Sequence, residues 1–137
     1  MNFFLLSGSH RPESQSAKVT HWIDYAVNEL FPDDNTYLYE LKNNPLPLWN
    51  DWFWDKESEE YKNFEPTRLP LQEKLKNADA FVFVTPERSG SVAPWVKNFL
   101  LYCSAKEMGN KPSLIVTVSA SRGWRYPVAE LRMSSYK

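Results

Sequence analysis

Four short segments rich in apolar residues, separated by stretches with helical spacing, set the pattern of this chain. The segments 2–7, 80–85 and 113–118 are almost wholly apolar, which predicts strands buried on both faces of a sheet. Segment 36–41, Thr-Tyr-Leu-Tyr-Glu-Leu, predicts a further strand, second in chain order. The pattern therefore predicts four strands.

Between and after these strands, apolar residues recur with the period of a helix. We predict helices over 16–31, 66–78, 93–106 and 127–135, with segment 42–66 largely irregular. The inward stripe of the first helix consists of Val19, Trp22, Ile23, Ala26, Val27 and Leu30. Alternating strands and helices predict one α/β domain over 1–137, with a parallel sheet covered on both faces.

A doubly wound sheet of five strands needs one more strand after the last predicted helix. Either this sheet has four strands, or the chain ends before the fifth. We favour the second interpretation, a domain shortened at its C-terminus, because a strand and its connection need about ten more residues.

Composition narrows the possible functions. The 137 residues suit a single domain, and 42% hydrophobic against 24% charged residues argues against disorder. A net charge of −1 provides no general attraction for nucleic acid or an anionic membrane. No apolar stretch approaches the length of about 20 residues that a membrane span needs. We therefore expect a cytoplasmic protein that acts on small molecules.

Cysteine and histidine are too scarce for several kinds of site. Cys103 is the single cysteine, so no intrachain disulfide or cysteine-based metal site is possible, and we expect a buried, inert thiol. His10 and His21 are too few for a histidine-rich metal site and have no catalytic-triad context. We expect His21 at the surface, and His10 either beside a phosphate or in solvent.

Three of the 4 glycines follow predicted strands: Gly8, Gly90 and Gly123. In an open parallel sheet, ligands bind beyond the carboxyl ends of the strands, where glycine allows close backbone approach. Loop 7–16 adds serines and an arginine at the start of a helix, a combination that suits a phosphate monoester. The alternative is that Ser14 or Ser16 only caps the helix.

The other two loops are candidates for contact with the rest of a ligand. Loop 85–94 is suited to lie beside a planar ligand, or is a simple turn between strand and helix. Loop 119–124 offers small residues, a glycine and a guanidinium. All three loops are expected at the same edge of the sheet.

Several segments, in the same order along the chain, resemble NAD(P)H-dependent FMN reductases, the family that includes bacterial quinone and chromate reductases. Residues 8–14 resemble its Gly-Ser-x-Arg-x-x-Ser phosphate loop, and residues 46–50 its Leu-Pro-Leu-Tyr-Asn segment. Residues 78–80, 84–87 and 96–98 resemble its Ala-Asp-Ala, Thr-Pro-Glu and Leu-Lys-Asn block, and Leu131-Arg132 its late Leu-Arg pair.

This resemblance implies a flavodoxin-like three-layer sandwich with four to five parallel strands in the order 2-1-3-4-5. It implies FMN as cofactor, NAD(P)H as co-substrate and a small-molecule electron acceptor such as a quinone, with a homodimer or homotetramer as the assembly. It assigns no catalytic acid or base and no metal. The implied cofactor-binding residues are Ser9, Arg11, Ser14, Gln15, Ser16, Pro86, Glu87, Arg88, Ser89, Gly90, Ser91, Ser119, Arg122 and Gly123.

The chain departs from the family pattern at three positions. Arg88 and Ser89 replace the usual Tyr-Asn pair, so Arg88 either stacks on a flat ligand, meets an anionic cofactor or points into solvent. Trp124 stands where the family often has glycine, so its indole either covers the flavin or blocks it. Two alternatives to a reductase follow: an FMN electron carrier, which the net charge disfavours, and a binding module without flavin.

Half a dozen large rings crowd into segment 49–64. Their exposure to water would be costly, so they form a subunit interface, a lid over a flat substrate, or a small core of their own. We favour the interface, because active sites of the resembled family lie near the subunit contact.

Overall fold

The computed structural model describes residues 1–134 and contains a parallel sheet in the order β2-β1-β3-β5. An additional short strand, β4, which was not predicted, pairs antiparallel with the end of β3. The strands are β1 (Asn2–Ser7), β2 (Asn35–Glu40), β3 (Ala80–Arg88), β4 (Ser91–Val92) and β5 (Ser113–Val118). The helices are α1 (Gln15–Leu30), α2 (Glu59–Asn77), α3 (Pro94–Leu101), α4 (Ala105–Met108) and α5 (Arg125–Ser134), with 3₁₀ turns at Asp51–Trp54 and Arg122–Trp124.

The predicted α/β class and the parallel sheet are confirmed. Each of the four predicted strands forms, and the order 2-1-3 followed by the strand at 113–118 is the predicted order. The residues after 134 lie outside the described chain, and these include the predicted helix end at 135. The further strand predicted after the last helix stays a prediction.

Helices cover the two faces of the sheet unequally. One face packs against α2, α3, α4 and α5 around a core that includes Phe4, Phe81 and Phe99, each almost wholly buried. The other face packs Leu5 and Val82 against α1 alone. None of the helices within the described residues is long and apolar enough to span a membrane.

Two predictions about burial are wrong, one for strand β5 and one for helix α1. Strand β5 was expected to be buried on both faces, but it forms an edge with Leu114 56% exposed, because α1 lies mainly over β1, β2 and β3. The stripe on α1 is also narrower than predicted: Trp22 and Leu30 are largely exposed, whereas Val19 and Ile23 pack against the sheet.

The predicted helix 93–106 is two helices separated by a break. Helix α3 ends at Leu101, and Ser104 starts α4 through a capping box with Glu107. Helix α2 begins at Glu59, seven residues before its predicted start at 66, because Ser58 caps it and Pro66 is accommodated within it.

The aromatic segment 49–64 packs largely against the chain's own core. Trp52, Phe53 and Phe64 surround Tyr102, with ring centroids between 4.9 and 6.3 Å from the Tyr102 ring. Trp54 differs, because 72% of its surface is exposed. Most of these rings therefore extend the main core, and they form neither the predicted subunit interface nor a separate small core of their own.

Candidate functional site

A cavity of about 420 Å³ opens at the carboxyl ends of β1, β3 and β5. All three predicted loops contribute to its walls, so the predicted meeting of these loops is confirmed by the geometry. Its lining residues are Arg11, Ser14, Gln15, Ser16, Pro86, Glu87, Arg88, Ser89, Val118, Ser119 and Ala120. Of the predicted site residues, Ser9, Gly90, Ser91, Arg122 and Gly123 are not among those that line it.

Gly8 brings the first loop close to the middle of the sheet. Its backbone N–H donates to the carbonyl of Val84 at 2.8 Å, and a Cβ at this position would lie 2.4 Å from Cγ2 of Val96. Ser9 is 1% exposed, and its Oγ accepts from the N–H of Arg11 at 3.2 Å. Ser9 therefore shapes the loop from inside, while Arg11 lines the cavity.

The start of α1 forms the polar end of the cavity. Ser14 caps the helix by accepting from the N–H of Ala17 at 3.3 Å, and its Oγ lies 2.8 Å from Oγ of Ser16. Ser14 thus performs the capping role of the alternative interpretation while also lining the cavity. The N–H groups of Gln15 and Ser16 have no partner among the described residues, as is usual in a first helical turn.

Together these groups form an anion-binding arrangement. The hydroxyls of Ser14 and Ser16, the guanidinium of Arg11 and the first turn of α1, with its unpaired N–H groups and positive dipole end, line the cavity together. This donor set matches the acceptor oxygens of a phosphate monoester.

The second loop is a β-hairpin rather than a simple turn. Strand β3 continues to Arg88, and Ser89 and Gly90 form the turn with φ values of 50° and 75° before β4 returns. Ser89 is a non-glycine residue in the left-handed region, so the turn is under backbone strain. Pro86, Arg88 and Ser89 line the cavity, so Arg88 faces the ligand space.

The carboxylate of Glu87 joins the second loop to the third. Its Oε1 accepts from the N–H of Gly90 at 2.5 Å, and its Oε2 accepts from Oγ of Ser119 at 2.8 Å. These two hydrogen bonds, that from Gly90 first, lower the pKa of Glu87 below its ordinary value of 4.5. A Cβ on Gly123 would lie 3.2 Å from Cδ of Glu87, so the third loop packs directly on this side chain.

Trp124 lies outside the lining of the cavity, and its two predicted roles, covering or blocking the flavin, stay predictions. Its ring is 51% exposed beside the guanidinium of Arg125. Its backbone carbonyl accepts from Oγ1 of Thr117 at 2.9 Å. Ala120 of the predicted third loop also lines the cavity, together with Val118, which was not predicted and reaches the cavity because β5 ends beside β3.

Three other cavities have different chemistry. One of about 400 Å³ lies at the opposite, amino ends of β1 and β2, where Lys74 is placed over the Tyr37 ring. Another, of about 600 Å³, is an apolar cleft lined by Pro45, Leu46, Pro47, Leu48, Pro94, Trp95 and Asn98. A further cavity of about 350 Å³, beside the first turns of α1, is lined by Pro12, Glu13, Ser14, Ala17, Lys18, His21 and Lys42. None of these three cavities combines a helix N-terminus with hydroxyl and guanidinium donors, so we assign the ligand to the cavity between the three loops.

The two histidines and the cysteine lie outside the lining of the cavity between the three loops. His10 is exposed and its ring lies 5.4 Å from that of Trp95, at the apolar cleft. His21 is partly exposed and lies 2.9 Å from Glu40, and Cys103 is buried, as predicted. Among residues 1–134, no group of three or more histidine, cysteine, aspartate or glutamate side chains is placed to hold a metal ion.

Comparison with known proteins identifies a family. The family model described as NADPH-dependent FMN reductase matches residues 1–134, almost the whole chain. No curated protein matches the chain in sequence.

Several solved structures have a similar fold. An azoreductase from Bacillus anthracis superposes with a TM-score of 0.77 at 14% identity, over 98% of this chain and 79% of that one. The flavoenzyme NAD(P)H:(acceptor) oxidoreductase FerB from Paracoccus denitrificans gives 0.73 at 20% identity, over 98% and 70%. An FMN-dependent NADH-azoreductase from Bacillus anthracis, in complex with FMN, gives 0.71 at 13% identity, over 99% and 83%. At these identities the likeness establishes the fold.

Proposed function

This chain belongs to the NADPH-dependent FMN reductase family, and from that premise we propose that its cavity binds FMN and that quinones or similar small molecules accept the electrons. Family membership makes the protein an oxidoreductase with FMN as cofactor and NAD(P)H as reductant. The observation that carries the proposed site is the meeting of three loops at one cavity with an anion-binding end. We also propose a cytoplasmic location, where NAD(P)H is available.

The cavity fits FMN at both of its ends. Arg11, Ser14 and Ser16, with the first N–H groups of α1, are placed to hold the phosphate. Pro86 and Arg88 from the hairpin, and Ser119 from the third loop, flank the space that remains for the ring. Ser9 supports the site without lining it, because its hydroxyl accepts a hydrogen bond from the N–H of Arg11 and so holds the loop in place.

The protein's own part in the reaction is binding and orientation. When bound, FMN supplies the electron transfer between NAD(P)H and the acceptor. The lining side chains hold the phosphate at one end of the cavity and flank the space for the ring at the other. The guanidinium of Arg88 lies at the border of that ring space. We assign no catalytic acid or base to any of them.

Arg88 is placed to attract the second substrate. NAD(P)H is an anion, and a guanidinium pairs with phosphate oxygens through two parallel hydrogen bonds. Arg88 is partly exposed at the wall of the cavity, so it is open to solvent and to the ring space together. We propose that it contributes to NAD(P)H binding where related chains have tyrosine.

The phosphate end provides the direct test of the site. We predict that Arg11→Ala combined with Ser14→Ala weakens FMN binding by a factor on the order of 100, because a charged and a neutral hydrogen bond are lost. Titration of FMN into the apoprotein, followed by flavin fluorescence, measures the dissociation constant. Lys76→Ala is the control, since it removes one positive charge from an exposed site at the far end of α2.

The outcomes of this experiment separate the candidate functions. Unchanged affinity in the double variant would place the phosphate elsewhere. NADPH oxidation with a quinone by the FMN-loaded wild type identifies a reductase, whereas FMN binding without NADPH oxidation identifies an electron carrier. A wild-type chain that takes up no FMN leaves only the binding-module alternative.

We further propose that the protein works as a homodimer or homotetramer. The apolar cleft beside α3 exposes Leu48 and Trp95, and His10 of the first loop lies against Trp95. An apolar contact at this surface would lie next to the proposed FMN site, and aromatic residues are enriched at such contacts. This surface replaces most of the aromatic segment 49–64 as the proposed interface, because those rings pack internally.

A further inference from the structure

The side chain of Glu87 hydrogen-bonds to both loops beside the proposed ring space, at Gly90 of the hairpin and at Ser119 of the third loop. We propose that Glu87 is a positioning residue that clasps the β3–β4 hairpin to the loop after β5 and thereby sets how tightly and in what orientation the FMN ring is held. The inference rests on the proposed function, since it concerns the same cavity. It assigns to Glu87 a role different from the direct cofactor contact that the resemblance implied.

The hairpin needs such a fastening because its own pairing is short. Strand β4 has two residues, which pair with Glu87 and Arg88. The ladder between β3 and β4 therefore consists of two residue pairs, directly beside the turn. The turn holds Ser89 at φ 50°, a conformation that a non-glycine residue leaves readily when nothing restrains it. The hydrogen bond from the N–H of Gly90 to Oε1 of Glu87 is the restraint at the tip of this turn.

The other carboxylate oxygen reaches the third loop. The hydroxyl of Ser119 donates to Oε2 of Glu87 at 2.8 Å, and the oxygen of that hydroxyl accepts from the N–H of Ser121 at 3.1 Å. A Cβ at Gly123 would come within 3.2 Å of Glu87, so the 3₁₀ turn lies against the carboxyl group. The position of the third loop is thereby tied to the position of the hairpin.

An ionised carboxylate is the group best suited to this task. It accepts hydrogen bonds at both oxygens without needing a proton of its own, and both of its partners here are donors. The walls of the cavity are then fixed before a ligand arrives, which reduces the ordering cost of binding. Arg88 and Ser119 both line the cavity, so loosening the clasp moves one wall against the other.

The test compares Glu87→Ala with Glu87→Gln. Alanine removes both acceptors, and we expect FMN binding to weaken about tenfold and the visible circular dichroism of bound FMN to change. Glutamine keeps a carbonyl for Gly90 and offers an amide to the Ser119 oxygen, so we expect it to restore most of the affinity and the wild-type spectrum. Glu57→Ala, at a side chain 90% exposed, is the charge-matched control.

A second variant covers the case in which Glu87→Ala folds poorly. Ser119→Ala removes the link to the third loop and leaves the hydrogen bond from Gly90 to Glu87 intact, and we expect an affinity between those of the wild type and Glu87→Ala. Adding Ser119→Ala to Glu87→Ala should weaken FMN binding less than Ser119→Ala does in the wild type, because the hydrogen bond between the two side chains is already lost. Additive losses would show that the two residues act separately and would overturn the clasp.

Amide hydrogen exchange on the FMN-free protein separates this inference from the proposed function. We expect faster exchange at Gly90 and Ser121 in Glu87→Ala than in the wild type, whether or not the chain binds FMN. A wild type that fails to bind FMN contradicts the proposed function and leaves the clasp to be judged by exchange alone. Unchanged exchange and unchanged affinity in Glu87→Ala, or equal loss in the alanine and glutamine variants, would overturn the clasp.

Discussion

Gly8 and Gly90 lie in two of the loops that form the proposed FMN site, but different physical constraints require glycine at each. A Cβ at residue 8 would lie 2.4 Å from Val96 and 2.8 Å from the carbonyl oxygen of Val84, both in the packed core. A Cβ at residue 90 would meet no atom within 4 Å, but the backbone there has a φ of +75°. The first glycine is needed for space and the second for conformation.

We therefore predict that Gly8→Ala is the more damaging change. Overpacking of the core should lower the free energy of unfolding by about 1–3 kcal/mol and weaken FMN binding, since the first loop is displaced. Gly90→Ala should cost about 1 kcal/mol through backbone strain. Denaturant unfolding of the two variants measures both values, and equal losses would argue against tight packing around Gly8.

Individual site residues show what sequence can indicate about a binding loop. The sequence predicted that Ser9, Ser14 and Glu87 lie in loops of the binding site, because glycine and polar residues follow the buried strands there. The direction of each side chain was not predicted, since it depends on contacts with other loops. Ser9 turns inward to the N–H of Arg11 and Glu87 turns to Ser119, while Ser14 faces the cavity.

Helix α2 contains two prolines, and one of them offers a test of helix energetics away from the site. Pro70 lies in the helix interior at an exposed position, where it lacks the N–H that would bond four residues back, at Pro66. We predict that Pro70→Ala raises the free energy of unfolding by an amount on the order of 1–3 kcal/mol, because proline is poorly tolerated inside helices.

Thermal unfolding followed by circular dichroism measures this gain. The FMN dissociation constant should stay at its wild-type value, because α2 contributes no lining residue to the proposed site. A loss of stability would instead show that the proline ring makes packing contacts whose removal outweighs the restored hydrogen bond.

At the level of elements, the periodicity of apolar residues predicted which strands and helices form better than it predicted where they end and how deeply they are buried. The four strands and their order followed from apolar runs and from the alternation with helices. The burial of β5 did not, because it depends on whether a helix covers that edge. The break between α3 and α4 is set by the capping box at Ser104, and the apolar pattern continues through it to Met108.

At the scale of the whole molecule, two carboxylates make the anchoring of the β3–β4 hairpin sensitive to acid. The pKa of Glu87 is lowered mainly by the hydrogen bond from Gly90. Burial raises the pKa of Glu130, but the hydrogen bonds from Val92 and Lys97 and the charge of Lys97 lower it overall. Both side chains hold parts of the same hairpin: Glu87 on β3 accepts from the N–H of Gly90 in the turn, and Glu130 on α5 accepts from the N–H of Val92 on β4.

The direction of the pH effect follows from these lowered pKa values. The unfolded chain binds these protons more tightly than the folded one, so their stabilisation is fully present above pH 4.5 and is lost as the pH falls further. We predict that urea unfolding shows a falling free energy from pH 4.5 to about pH 3. Glu87→Gln should show a shallower fall over that range than Glu57→Gln, and equal slopes would contradict the assignment.

Assembly is tested at the apolar cleft beside α3. If Leu48 and Trp95 form the subunit contact, Trp95→Glu places a charge in an apolar interface and should convert the oligomer into a monomer of 16.1 kDa. Light scattering after size-exclusion chromatography measures the mass. Trp22→Glu is the matched control, because Trp22 is 68% exposed on α1, on the other face of the sheet. Dissociation by Trp22→Glu alone would move the interface to the side of the sheet where β5 is left uncovered, away from the proposed FMN site.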